Sequence, residues 1–352
     1  MTKRAKTTGK PTAAVIGLGI GRGHLRALRA NPAVRLVGAC DTTTERIARV
    51  RDEQPDLTAD LFFDDYATML KRTKPDAAIV ALPNALHHRV TLDCLRAGAH
   101  VLCEKPMAMN VAEAQEMADT ADKLGKTLMI NFSYRFKPTT AAMEDVVNAG
   151  KLGEIYFART GWLRQQGIPR GVGWFYKKQQ AGGGPLIDLG VHRIDLAWYL
   201  MGKPKVASVC GATFQKFGPS QLPEFDVEDF AAGQIRFVDG RCLQVAVSWA
   251  SFCEHPEQMW TELYGTKGAA IERNTGGGYQ WTVKFLQDLA GYRIGGEPAR
   301  LPAQAAGPID HFVDCLVTGK QPGPSAADGV EVQRMLDGLY ESARTGREVR
   351  FD

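Results

Sequence analysis

Asp188, His192 and Asp195 recur at i, i+4 and i+7 in a stretch that is otherwise apolar nearly throughout, from Pro185 to Met201. On a helix these positions stand one above another on a single face. An imidazole titrates near neutrality and can accept the proton of a hydroxyl. Burying a carboxylate or imidazole without a partner is costly, so the stripe must line a cavity or form a paired core network. In the first case His192 is the base and Asp188 holds a second hydroxyl or tunes an ammonium group, while Asp195 reads as structural. The ammonium is Lys105, in Val101-Leu102-Cys103-Glu104-Lys105-Pro106. Placed beyond the carboxyl end of a buried strand, a lysine can hydrogen-bond a reacting hydroxyl and stabilise alkoxide character as a hydride leaves. Glu104 would orient it, and Pro106 keeps the chain extended there. A surface Lys-Pro at a loop start is the bland alternative.

A departing hydride needs an acceptor, and the stretch from Ala13 to His24 provides for one. Four apolar residues run into Gly17, then Leu18, Gly19, Ile20 and Gly21 lead into a helical pattern. Gly17 can take the φ of a tight turn. Gly19 and Gly21 leave room for phosphates beside the free N–H groups of a helix start, which suits a dinucleotide pyrophosphate. The spacing Gly-x-Gly-x-Gly is one residue short of the usual Gly-x-Gly-x-x-Gly. Asp41 ends the next apolar run, where a carboxylate can accept both ribose hydroxyls and repel a 2′-phosphate. That favours NAD over NADP, with Arg46 softening the preference. Capping the next helix is the alternative role of Asp41.

These groups need a scaffold. Apolar runs near 13–16, 35–40, 60–63, 77–82, 100–103 and 127–131 alternate with helical patterns near 24–30, 43–51, 65–72, 87–97 and 111–124. This predicts an α/β domain over 11–131, a doubly wound parallel sheet of the Rossmann type. The pattern then changes. Helices near 139–149 and 185–201 are followed by longer strand-like runs at 206–217, 228–238, 241–251, 258–264, 268–272 and 279–286, after a first at 154–164. Asp239-Gly240 marks a hairpin. Helical patterns near 309–318 and 328–344 close the chain. Residues 132–352 therefore read as an α+β domain with a large, mainly antiparallel open sheet. A second subunit could cover that sheet.

Further candidates line these elements. Pro83-Asn84-Ala85-Leu86-His87 follows the fourth strand, and Asn84 and His87 either face the nicotinamide or serve the next helix. Arg135, after the sixth strand, reads as a contact to cofactor or substrate or as an interdomain salt bridge. Arg164, Trp174 and Tyr176 lie in an aromatic and basic segment that suits a sugar-binding lid, or else a solvated loop.

Composition narrows the class. The 352 residues are 44% hydrophobic and 23% charged with a formal net charge of +4, which fits a protein with two ordinary cores. No basic stripe interleaved with aromatics argues for nucleic acid. No apolar run approaches a membrane span. The basic start (Lys3, Arg4, Lys6, Lys10) precedes no apolar region, so it reads as a frayed tail and not as a leader. Seven scattered cysteines, none at zinc spacing, point to reduced thiols in the cytoplasm and to no metal.

The glycine turn closing on His24, Pro83-Asn84-x-x-His87, Glu104-Lys105-Pro106 and Gly-Gly-Gly-x-x-x-Asp188-x-x-x-His192 occur in this order. Together they resemble the GFO/IDH/MocA oxidoreductases over nearly the whole chain. The resemblance implies Lys105, Asp188 and His192 as catalytic residues that also touch the substrate. It implies a cofactor site built from Gly17, Gly19, Ile20, Gly21, His24, Asp41, Pro83, Asn84, His87, Glu104 and Lys105. It further implies NAD or NADP as cofactor, a sugar, sugar derivative or inositol as substrate, and a homodimer or homotetramer formed through the C-terminal sheet. The expected reaction is hydride transfer between a secondary alcohol and nicotinamide, with Lys105 facing the Asp188–His192 pair across one sugar ring. Two rival readings remain: glycoside cleavage by oxidation and elimination on a retained NAD, and a non-catalytic sugar or nucleotide sensor. The shortened glycine turn departs from the family pattern, and the sequence is read as lacking the twin-arginine leader that the family's periplasmic glucose–fructose enzyme carries.

Overall fold

The computed structural model describes residues 9–171, 173–303 and 306–351. Of the basic N-terminal stretch, Lys3, Arg4 and Lys6 lie outside the described residues. The chain divides into two compact units, one from the described residues of 1–131 and 306–330, the other from those of 132–305 and 331–352. The helix Pro308–Thr318 thus belongs to the first unit, whereas the sequence reading assigned everything after 131 to the second.

The first unit is built on β1 (Thr12–Ile16), β2 (Arg35–Cys40), β3 (Phe62–Phe63), β4 (Ala77–Val80), β5 (His100–Cys103) and β6 (Leu128–Ile130). All pair in parallel, in the order β3-β2-β1-β4-β5-β6. This is the Rossmann order, with its switch point between β1 and β4. β4 and β5 are buried at every position, as expected of strands covered on both faces. The connecting helices are α1 (Gly21–Ala30), α2 (Thr44–Glu53), α3 (Tyr66–Thr73), α4 (His87–Arg96) and α5 (Val111–Lys123). Asn110 caps α5, accepting from the Glu113 N–H at 2.9 Å. The strand expected at 60–63 shrinks to two residues after a 3₁₀ turn, Ala59–Leu61.

The second unit carries α6 (Pro138–Asn148) and nine strands: β7 (Ile155–Arg164), β8 (Val206–Phe214), β9 (Phe230–Phe237), β10 (Cys242–Ser248), β11 (Glu257–Gly265), β12 (Gly268–Thr275), β13 (Thr282–Leu289), β14 (Tyr292–Gly296) and β15 (Val349–Arg350). Their order is β14-β13-β12-β11-β7-β10-β9-β8-β15, and every pair is antiparallel except β7 with β10. Gly240, at φ +88°, turns the expected hairpin between β9 and β10. β14 and β15 escaped the sequence reading because one is exposed at every position and the other is two residues long. One face of β7, β10 and β11 packs on the helix Val191–Leu200.

Between that helix and the sheet lies a charged cluster. Arg193 is fully buried, with its guanidinium 4.1 Å from the Tyr134 ring centre and 3.7 Å from Glu272. The Lys137 ammonium lies 3.5 Å from the Tyr134 ring centre and 3.2 Å from that of Trp281. Aromatic faces attract cations but replace hydration only in part. Burial, and then repulsion from Arg193, hold Lys137 well below the ordinary lysine range. The unfolded chain therefore binds this proton more tightly than the native one, and stability rises with pH through the interval between the two values. K137M is expected to raise the melting temperature, with a larger gain at pH 6 than at pH 10; thermal unfolding at the two pH values measures it.

Candidate active site

In the first unit the glycine turn is a cradle. Gly17 sits at φ +92°, and its N–H donates to the Cys40 carbonyl at 2.7 Å. A Cβ there would lie 2.2 Å from the Ala81 carbonyl oxygen. Gly21 opens α1, and a Cβ on it would lie 3.0 Å from Ala81 Cβ and 3.1 Å from Val15 Cγ1. Glycine at this position lets the first turn of α1 seat closely on Val15 and Ala81. A Cβ on Gly19 would meet nothing within 4 Å. Ile20, at the N-cap position, offers no side-chain hydrogen bond, and the first turn of α1 holds no acid. Free N–H groups, positive helix polarity and open space above Gly19 fit a dinucleotide pyrophosphate.

Asp41 is buried. One carboxylate oxygen accepts from the Leu18 N–H at 2.7 Å, pinning the glycine turn, and the other from the Thr43 N–H at 2.8 Å. Arg46 stands 3.4 Å away. Thr43, and not Asp41, is the N-cap of α2.

Lys105, half-buried, follows β5. Its own N–H donates to Glu104 Oε2 at 3.2 Å. Glu104 is buried, and its Oε1 accepts from His24 Nε2 at 2.6 Å and from Asn131 Nδ2 at 2.7 Å. Burial alone would raise the Glu104 pKa. The His24 hydrogen bond and charge, then Asn131 and Lys105, outweigh it and hold the group at about 2. On the other side of Lys105, across a cis peptide bond, the Pro106 carbonyl lies 2.7 Å from His87 Nδ1. His87 Nε2 lies 2.8 Å from the Leu82 carbonyl. Burial depresses the His87 pKa, while its two carbonyl partners favour the protonated ring. His24, Glu104 and His87 were expected at the cofactor. The structure gives each of these side chains a protein partner, as buried and part-buried polar groups require. They tie α1 and the ends of β4 and β5 to the loop that carries Lys105. Pro83 and Asn84 lie between Leu82 and His87, with Asn84 buried in a 3₁₀ turn, Asn84–Leu86.

In the second unit the expected helix begins differently. Leu186–Gly190 form a π-helical turn, and Val191–Leu200 continue as α-helix. Such turns widen the spacing and recur at functional sites. Asp188 and His192 are half-buried in a segment where Leu186, Ile187, Leu189, Gly190, Val191 and Arg193 are fully buried. Asp195 is instead sealed in, its carboxylate paired with Arg135 Nε at 3.0 Å and Nη2 at 2.5 Å. The three-residue stripe therefore divides: two residues reach a partly open surface and the third is a core ion pair.

The glycines before this helix meet protein. Gly182, at φ +86°, ends the short helix Lys178–Ala181. A Cβ on Gly183 would lie 2.0 Å from the Tyr340 hydroxyl, and one on Gly184 would lie 1.9 Å from the Glu228 carbonyl oxygen. Glu228, buried, accepts from the N–H groups of Gly184 at 2.9 Å and Leu186 at 3.0 Å. Tyr340 donates to Glu228 at 2.8 Å and accepts from the Ile187 N–H at 3.2 Å. Asp188 in turn accepts from the Trp249 indole N–H at 3.0 Å. The His192 ring centre lies 4.9 Å from that of Tyr134 and 6.3 Å from that of Trp162.

The expected substrate residues scatter. Arg135, expected at cofactor or substrate or in a salt bridge, is buried, pairs with Asp195 within one unit and lies 4.5 Å from the Tyr199 ring centre. Arg164 pairs with Glu257 at 2.6 Å and stacks on Trp162, whose indole N–H donates to the same carboxylate at 2.7 Å. Tyr176 stacks on Phe225, which abuts Trp249 and so leads to Asp188. Trp174 packs on Phe175. Sequence reasoning missed Trp249, Glu228, Tyr340 and Tyr134. The one available signal was Glu228-Asp229, two adjacent acids heading an apolar run that had to find partners.

Sequence models of the GFO_IDH_MocA oxidoreductase family match residues 12–132 as its NAD-binding Rossmann fold and 145–351 as its C-terminal alpha/beta domain. The D-glucoside 3-dehydrogenase of Escherichia coli K12 is 34% identical over 366 residues, covering 99% of this chain and 100% of the relative. The levoglucosan dehydrogenase of Pseudarthrobacter phenanthrenivorans is 27% identical, with 76% and 78% covered. The crystal structure of an aldose-aldose oxidoreductase from Caulobacter crescentus, complexed with glycerol, superposes with a TM-score of 0.82 at 27% identity, covering 97% of this chain and 100% of that one. The chain belongs to the GFO/IDH/MocA family and is an NAD(P)-dependent oxidoreductase.

The buried Glu104 network gives this half of the site a pH signature. A carboxylate held at about 2 against an ordinary value of 4.5 contributes stability that is present above pH 4.5 and lost as the pH falls towards 2. E104Q is expected to lower stability by about 3 kcal/mol at pH 7, with the gap to the parent protein closing below pH 4. Denaturant melts across that range check it.

Proposed function

We propose that this chain oxidises a secondary ring alcohol of a sugar or glycoside, with NAD as the preferred hydride acceptor. The observation that carries the reading is the way each candidate group is held. Lys105 stands between a buried carboxylate network and a buried histidine. Asp188 and His192 are the polar residues that interrupt the burial of their helix near its start. The relatedness to a D-glucoside 3-dehydrogenase over the whole chain supports a pyranoside substrate. His192 accepts the hydroxyl proton, Lys105 stabilises the developing alkoxide, and Asp188 holds a neighbouring hydroxyl. Bound nicotinamide supplies the hydride acceptor. Gly17, Gly19, Ile20 and Gly21 cradle the pyrophosphate, Asp41 faces the adenosine ribose and disfavours a 2′-phosphate, and Pro83 and Asn84 flank the nicotinamide.

The open face of the second sheet supports a homodimer or homotetramer. Phe157 and Tyr264 meet there with ring centres 5.8 Å apart, beside Glu262 paired with Arg159 and Arg273 at 2.8 Å each. No helix among the described residues is long and apolar enough to cross a membrane. Scattered thiols support a reducing, cytoplasmic compartment.

A panel of sugars, glycosides and cyclitols, followed by the absorbance of reduced nicotinamide with NAD and with NADP, tests the reaction. Turnover is expected with at least one pyranoside and with NAD ahead of NADP. Aglycone release without net reduced nicotinamide would replace oxidation with oxidation–elimination. K105A and H192N should each lower turnover by about 100-fold or more while NADH still binds. Near-parental turnover in either removes that residue from the mechanism. Light scattering on the eluting protein should give a dimer or tetramer mass, and a monomer mass would remove the sheet-face interface.

A further inference from the structure

The start of the helix that carries Asp188 and His192 is sealed by protein. A helix leaves its first N–H groups without partners inside the helix. Here Glu228 takes those of Gly184 and Leu186, and the Tyr340 hydroxyl takes that of Ile187. Tyr340 also donates to Glu228, so three donors close on one carboxylate. Burial raises the Glu228 pKa, and the N–H groups and the Tyr340 hydroxyl oppose that shift. Gly183 and Gly184 lack the Cβ atoms that would push Tyr340 and Glu228 away. Asp188 is the next residue after this seal, and its backbone N–H bonds back to the Gly184 carbonyl at 3.1 Å.

A second line reaches Asp188 from the same short segment. Asp229, adjacent to Glu228, accepts the Trp249 N–H on its carbonyl at 3.0 Å. The Trp249 indole then donates to Asp188 at 3.0 Å. The Asp229 carboxylate is itself anchored by the N–H groups of Lys216, Phe217 and Gly218 at 2.7, 2.5 and 2.9 Å. Both ends of Asp188, backbone and carboxylate, are thus referenced to Glu228-Asp229.

We propose that Glu228, acting with Tyr340, is a positioning residue for the reaction: it fixes the register of the π-helical turn and thereby aims Asp188 and His192 at the substrate. The proposal rests on the catalytic reading of those two residues. A misplacement of about 1 Å in a reacting group lowers rate by orders of magnitude without abolishing binding.

The test uses the full chain with the pyranoside and cofactor identified by the panel. E228Q leaves an amide donor facing N–H or O–H donors, and Y340F removes a single hydroxyl. Both should lower kcat at least tenfold while the dissociation constant for NADH, read by fluorescence, stays within twofold. If E228Q fails to fold, Y340F alone decides the question. Parental kcat in folded Y340F and E228Q overturns the proposal. So does a rate loss that is recovered in full once the assay is cooled to where the variant is entirely native, since that is a stability effect. D188N separates the two levels. A slow D188N beside a normal E228Q defeats the positioning role alone, whereas normal turnover in D188N and H192N defeats the catalytic reading beneath it.

Discussion

The unpaired N–H groups at a helix start govern both halves of this protein, and the two halves resolve them in opposite ways. At α1 the chain withholds every cap: Ile20 makes no side-chain bond, no acid stands in the first turn, and Gly19 leaves space open. The result is a positive, uncovered end that suits an anionic ligand. At Leu186–Gly190 the chain supplies its own anion, Glu228, and closes glycine backbone tightly around it. The first helix start waits for a cofactor; the second is made rigid so that the side chains following it hold their direction.

The same contrast runs through the candidate catalytic groups. Lys105, Asp188 and His192 are each half-buried, and the atoms around them are buried and bonded to one another. Glu104 gathers His24, Asn131 and the Lys105 N–H. His87 bridges the carbonyls of Leu82 and Pro106. Trp249 ties Asp188 to the sheet. A buried polar group without a partner is penalised severely, so once such a group is present its neighbours are constrained in position. Charge inside these networks therefore acts as a set of fixed bearings for the residues that face outward.

The nine-stranded sheet serves this arrangement by presenting one packed face. Arg193, Asp195 and Glu272 show how that face tolerates charge. Arg135 neutralises Asp195, and the aromatic faces of Tyr134 and Trp281 share Arg193 with Glu272. Tyr134 belongs both to this cluster and to the surroundings of His192, so the core charge and that imidazole share one ring.

Local pattern determined a good deal. The alternation of buried strands and amphipathic helices is a property of neighbouring residues, so the Rossmann unit and its strand sequence were legible, as were the glycine turn, the Asn110 cap and the Asp239-Gly240 hairpin. Lys105, Asp188 and His192 stood out as candidates because they are polar residues set in apolar context, and each is half-buried. What spacing could not decide was which buried polar groups pair. Arg135 and Asp195 lie 60 residues apart, and Glu228 meets Tyr340 across 112. No periodicity encodes a partner at such distance. The tertiary structure alone paired Arg135 with Asp195 and set His87 between the Leu82 and Pro106 carbonyls. It also sealed the Gly183-Gly184 turn with a carboxylate. A one-dimensional pattern registers that a polar group needs satisfaction; only the folded chain chooses the group that provides it, because that choice depends on which distant backbones can approach closely enough to bond.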